Sequence, residues 1–124
     1  MMTIDEFEKL LDETARELPA VFYDELNGGI LLLPEVKYHP KAQNNDLYIM
    51  GEYHRDQMGR YIVIYYGSFE RIYGHLDRDA LKEQMLHTLK HEFRHHLESM
   101  AGMRDLEIFD RMAMDEYEKK EAKI

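Results

Sequence analysis

Residues 91–96 read His91-Glu92-Phe93-Arg94-His95-His96, and this stretch decides how the rest of the chain is understood. On an α-helix, residues four apart lie one turn above each other on one face. His91 and His95 can then aim a ring nitrogen each at a single Zn²⁺, at roughly 2.0–2.1 Å. The residue after the first histidine lies just round the helix, near enough to touch a water on that ion without ligating it. A carboxylate there is suited to accept the water's proton, so Glu92 is the candidate general base of a metal-assisted hydrolysis. With seven histidines and 25 acidic residues in 124, the same pattern also arises as a plain polar helix face. The surroundings have to decide.

The segment from Arg78 to Lys90 contains no glycine or proline and mostly strong helix formers. Asp77 or Asp79 can cap its start. Leu81, Met85, Leu89, Phe93 and Leu97 recur every four positions as one apolar stripe. At about 100° per residue, the stripe centres well over a quarter-turn from His91 and His95. The helix is therefore expected to bury one side and turn the two histidines toward another surface.

His87 continues the four-residue ladder, but three rungs span roughly 11–12 Å, too far for one ion on a straight helix. Glu98 fails for the same reason. His96 points toward the apolar side and reads as a hydrogen-bonded histidine at the core edge. A catalytic zinc takes three protein ligands and leaves a position open. The third must come from beyond the helix, and Gly102 is the expected stop. Asp105 follows three residues later, either turned back as the third donor or capping a further helix.

The last half of the chain resembles the small zincin-like metallopeptidases, compact bacterial proteins with an HExxHH helix. Their motif typically reads His-Glu-x-Gly-His-His-Phe-Gly-Leu-x-Asp. His95-His96 match it, as does the approach Asp79-Ala80-Leu81-Lys82-Glu83-Gln84, and Phe7-Glu8-Lys9-Leu10-Leu11 through Leu18-Pro19 is similar to the family's opening helix. The resemblance implies His91 and His95 as zinc ligands, Glu92 as base and a carboxylate as third ligand, which maps to Asp105. Two departures stand out. Arg94 replaces the usual glycine, and the Gly-x-x-Asp step arrives four residues late, about one helical turn. Asp110 and Glu116 are the alternative third ligands.

A chain of 124 residues supports one core, and 44% hydrophobic residues suffice to build it. We expect a single α+β domain over residues 1–124, in a minimal zincin-like arrangement. Its parts are an N-terminal helix, a small mixed or antiparallel sheet of about three strands, the metal helix and a C-terminal helix. No cysteine is available for disulfides or thiolate zinc ligands, which tilts a bound zinc toward catalysis. A net charge of −9 argues against nucleic acid as a partner. It hints weakly at neutral or basic peptides. No leader or membrane span is readable, so the expectation is a cytoplasmic protein without a membrane partner.

In detail, an amphipathic helix is expected from Thr3 to about Leu26, burying Phe7, Leu10, Leu11, Ala15 and Leu18, with Pro19 ending or kinking it. A turn at Asn27-Gly28-Gly29 leads to a strand at Ile30–Leu33, then a loop from Pro34 to Asn45. Leu47–Tyr53 and Tyr61–Tyr66 read as strands joined through His54–Arg60. The tyrosine-rich strands suit a sheet, and one of them is a candidate edge for pairing an extended peptide. Phe69, Ile72 and Tyr73 lead into the metal helix, and Met103 to about Lys119 is expected as the last helix.

The resulting expectation is a zinc-dependent peptidase acting on peptide or protein substrates. His91, His95 and Asp105 hold Zn²⁺, Glu92 is the base, and Arg94, Tyr65 or Tyr66 supplies an oxyanion donor. The alternatives are a non-catalytic metal-binding or interaction module on the same fold, and an acidic interaction domain whose histidine ladder is structural.

Overall fold

The computed structural model describes residues 1–44 and 47–103. Helix α1 spans Ile4–Arg16. Thr3 Oγ1 accepts from the Glu6 N–H at 3.2 Å, and Glu6 Oε1 accepts from the Thr3 N–H at 3.1 Å, so a reciprocal capping box fixes its start. The helix ends ten residues before the expected Leu26. Pro19 disfavours helical backbone at the residue before it, and the chain re-forms only as a 3₁₀ turn at Ala20–Tyr23. Phe7, Leu10, Leu11 and Leu18 are buried as expected. Thr14 joins them, its hydroxyl donating to the Leu10 carbonyl at 2.7 Å.

Strand β1 (Gly29–Leu33) runs parallel to β5 (Gly59–Tyr65), and β4 (Gly51–Asp56) pairs antiparallel with the other side of β5. The sheet is thus three-stranded and mixed, in the order β1-β5-β4. The expected loop after Pro34 contains a short strand, β2 (Lys37–Tyr38), paired antiparallel with β3 (Tyr48–Ile49). The expected strand over Leu47–Tyr53 therefore divides at Met50 into β3 and β4. The connection between β4 and β5 is also tighter than expected. Asp56 lies opposite Gly59, leaving only Gln57 and Met58 in the turn, and Gly59 takes a φ of 110°.

Tyr66–Tyr73 forms a helix, α2, where only a lead-in was expected. Gly67 permits its close approach, because a Cβ there would lie 2.7 Å from backbone atoms of Glu35 and Val36. Helix α3 then runs from Arg78 to Met103. Asp77, rather than Asp79, caps it, Oδ1 accepting from the Ala80 N–H at 2.8 Å. The expected stop at Gly102 is corrected: the residue is helical, since glycine permits a left-handed ending without imposing one. The expected final helix from Met103 lies outside the described residues.

Helices α1 and α3 cover one face of the sheet. Between them lie Phe7, Leu10 and Leu11 of α1, Ile62 and Ile64 of β5, and Leu81, Met85, Leu89 and Phe93 of α3. Leu97 is only half-buried, and His96 and Met100 continue the buried stripe instead. A strict four-residue step drifts about 40° per turn, and a step of three between Phe93 and His96 brings the stripe back to the core. Among the described residues, no helix is long and apolar enough to cross a membrane.

Candidate metal centre

Both motif histidines are exposed on α3, on the side away from the core. Their Nε2 atoms lie 3.2 Å apart, and the rings meet edge to face at 87°. Two nitrogens bound about 2.05 Å from one tetrahedral ion would be separated by roughly 3.3 Å. The pair thus already has the separation a shared zinc requires, from nothing more than helical spacing and two compatible rotamers. On the far side of the ring, His95 Nδ1 lies 3.7 Å from Glu98 Oε2. Glu98 thus lies on the side of the ring away from the His91–His95 Nε2 pair.

Glu92, at the next helical position, is buried. Burial pushes its carboxyl above the usual range; Glu52 adds to this, and His95, His54 and the Tyr53 N–H, which faces the carboxylate, oppose it. The Tyr53 contact locates the site against the sheet. A two-residue turn makes Asp56 and Gly59 a hydrogen-bonded pair, so by alternation Gly51, Tyr53 and Arg55 aim their N–H and C=O groups at the outer edge of β4, which pairs with no other described strand. Glu92 engages that edge at Tyr53. Gly51 permits close packing just before it, a Cβ there lying 3.1 Å from Thr88 Cγ2.

His96 is fully buried, with Nε2 donating to the Asp24 carbonyl at 2.8 Å and Nδ1 accepting from the Tyr53 hydroxyl at 2.9 Å. Burial pushes its pKa down. Its expected role as a hydrogen-bonded histidine holds, although deeper in the core than the edge. His87 is exposed, one turn before His91.

The three expected oxyanion donors have other partners. Arg94 Nε donates to Glu98 Oε1 at 3.1 Å, Tyr66 donates to the Met2 carbonyl at 2.6 Å, and Tyr65 donates to Glu52. Burial pushes the Tyr65 phenol up, as do the hydrogen bond and charge of Glu52.

Asp105, Asp110 and Glu116 lie outside the described residues. Among the described residues, no three His, Asp or Glu side chains are arranged to hold a metal. The helix nevertheless constrains the third donor. Met103 lies about 15 Å along the axis beyond the midpoint of the histidine pair, at 1.5 Å per residue. Two extended residues add about 7 Å of reach and a carboxylate side chain about 3 Å more. The choice among Asp105, Asp110 and Glu116 therefore turns on the path of the chain after Met103.

Sequence reading found the histidine pair and Glu92 but missed the β4 residues beside them. Glu52 and His54 alternate on one face of β4, joined through His54 Nε2 and Glu52 Oε1 at 3.4 Å, while Tyr53 and Arg55 face α3. The tyrosine-rich alternation marked a strand. It did not say that this strand would end up as the edge beside the metal helix.

Comparison with known proteins agrees with this geometry. Residues 43–115 match the zincin-like metallopeptidase family, a span that holds β4, the whole of α3, Asp105 and Asp110. A solved structure, a conserved hypothetical protein from Thermo thermophilus, is 32% identical. The match covers 82% of this chain and 100% of that one, with a TM-score of 0.69. No curated protein matches. With the HExxH helix packed against the outer edge of β4 and the family match spanning both, the chain belongs to the zincin-like metallopeptidase family.

Proposed function

We propose that the protein is a zinc-dependent metallopeptidase acting on peptide or protein substrates, with Glu92 as general base. The observation that carries the reading is the 3.2 Å separation of the His91 and His95 Nε2 atoms, which suits two ligands of one tetrahedral ion. Zinc, when bound, supplies Lewis acidity toward a carbonyl oxygen and an attacking water. His91 and His95 hold it with neutral imidazoles. Glu92 lies on the neighbouring helical position, and its buried carboxyl has a raised proton affinity. That suits a group that takes a proton from the attacking water and returns it to the leaving amine.

The outer edge of β4 gives an extended peptide backbone groups to pair with, at Gly51, Arg55 and the Tyr53 carbonyl. Pairing there runs the substrate along the histidine face of α3. The third donor is a carboxylate after Met103. Chain reach favours Asp110 or Glu116 over Asp105, and Asp110 also lies within the family match. A cytoplasmic location belongs to the same proposal and is tested by cell fractionation.

The deciding experiment is metal analysis of untagged protein, followed by digestion of a peptide library by the parent and by Glu92→Gln. One zinc per chain with cleavage lost in the variant supports the reading. Zinc without cleavage in the parent would leave a metal-binding module on the same fold. No zinc would make the histidine ladder a structural polar face.

A further inference from the structure

We propose that Arg55 and Arg60 form a carboxylate-binding subsite at one end of the substrate groove, selecting peptides that carry an acidic group near the cleaved bond. This rests on the peptidase reading above. The two arginines come from opposite strands of the β4–β5 hairpin, where they are direct cross-strand partners. Both reach α3 at Ser99, Arg60 donating to its Oγ at 2.9 Å and Arg55 at 3.3 Å. Arg60 also donates to the Tyr53 hydroxyl at 3.4 Å.

Two positive groups thus converge on neutral hydroxyls, which accept hydrogen bonds without offsetting the charge. Asp56, which lines the same open depression of about 680 Å³, is committed elsewhere. Its Oδ1 accepts from the Met58 N–H and its Oδ2 from the Tyr61 hydroxyl, both at 2.8 Å. Glu25 lines the depression as well. A convergent guanidinium pair matches the two oxygens of a carboxylate, as bidentate donors or one from each arginine.

Position links the pair to the groove. Ser99 is four residues after His95 and is the next rung of the same ladder, about 6 Å along α3. Arg55 is two residues after Tyr53, whose N–H meets Glu92, and two strand residues advance roughly 6.8 Å. From Glu92 to Ser99 the helix rises about 10.5 Å, and the long Arg55 side chain spans the difference to meet Ser99. A peptide on this edge, with its scissile carbonyl at the histidine pair, would place a group one or two residues away beside the guanidiniums. For a chain of net charge −9, a local cationic pair at that point is a specific feature rather than a general attraction for acids.

An acidic side chain and a free C-terminus present the same carboxylate, and the test separates them. Octapeptide pools would be matched in pairs, Glu against Gln at each position and free acid against C-terminal amide. Zinc-loaded full-length parent, Arg55→Gln and Arg60→Gln are compared by cleavage. Fluorescence anisotropy then measures binding of the same pools to these proteins carrying Glu92→Gln. The expected result is a preference of tenfold or more for one carboxylate-bearing pool in the parent, lost in both arginine variants. Zinc content, and the handling of Gln or amide pools by Arg60→Gln, should be unchanged. Preference for Glu assigns a side-chain acid, and preference for the free acid assigns the C-terminus. No preference in the parent, or one that survives both substitutions, overturns the subsite. If the parent cleaves nothing, the hydrolase reading fails, while the binding comparison still decides whether the arginines select a carboxylate.

Discussion

The backbone N–H of Tyr53 faces the carboxylate of Glu92 and lowers its proton affinity, linking the edge strand of the sheet to the HExxH helix. In the proposed peptidase, this contact would tie the strand that pairs a peptide to the carboxylate that moves the proton. The Tyr53 hydroxyl reaches His96 from the same strand residue, so the strand is held to α3 at both its backbone and its side chain.

Glu92→Gln should keep zinc and lose peptide hydrolysis by at least about 10²-fold, the usual contribution of a positioned base. The amide still offers an oxygen to the Tyr53 N–H, so the fold should persist. Zinc stoichiometry beside turnover checks this, and unchanged turnover would remove Glu92 from the mechanism.

Zinc affinity should fall steeply in His91→Ala and in His95→Ala, because each leaves the ion one ligand short. Asp110→Ala or Glu116→Ala should share that loss, with Asp105→Ala close to the parent. Competitive titration with a chelator of known affinity reads all five variants. A loss confined to Asp105→Ala would mean that α3 unwinds before Met103 when metal binds.

Stability should depend on pH through His96. Burial holds its folded pKa below the unfolded value near 6.5, so the unfolded chain binds the extra proton first. Its contribution is fully present above about pH 6.5 and is lost as pH falls toward the lowered folded pKa. The slope is at most about 1.4 kcal/mol per pH unit for one proton. Urea unfolding between pH 5 and 7.5 should show this slope in the metal-free parent. His96→Gln should be less stable at pH 7.5 and should lack that part of the slope.

Gly67→Ala should destabilise by about 1–3 kcal/mol, because the new methyl would meet the backbone of Glu35 and Val36 as well as the Val36 side chain, and the backbone cannot give way cheaply. Gly29→Ala meets no crowding, and its cost comes only from a φ of 69°. Thermal unfolding of the two variants separates steric from conformational effects.

The metal helix was readable because its signals are local. Four-residue spacing, the apolar stripe and an aspartate cap all lie within one continuous segment. The N-terminal helix was half legible: Thr3 and the apolar positions marked its start, but Pro19 disfavours helical backbone at Leu18, and the helix closes already at Arg16. The division of one expected strand into β3 and β4 was not readable. It follows from Met50 pairing its carbonyl with the Tyr65 N–H while Tyr48 and Ile49 pair with β2. Pairing partners lie far along the chain and leave no mark on periodicity. Arg55 and Arg60 were silent for the same reason, since neither means anything until the hairpin sets them side by side against Ser99.

His91 and His95 sit one turn apart on a single helix, and this has a consequence for how metal and folding are linked. Their geometry needs only a few turns of α3, whereas β1 must find β5 across some thirty residues of intervening chain. A partly folded chain with that helix formed would keep a two-donor grip on zinc. Metal that binds the unfolded ensemble as well as the native state stabilises the native state less. The thermal stabilisation gained on adding zinc therefore measures chiefly the donor that comes from outside the helix.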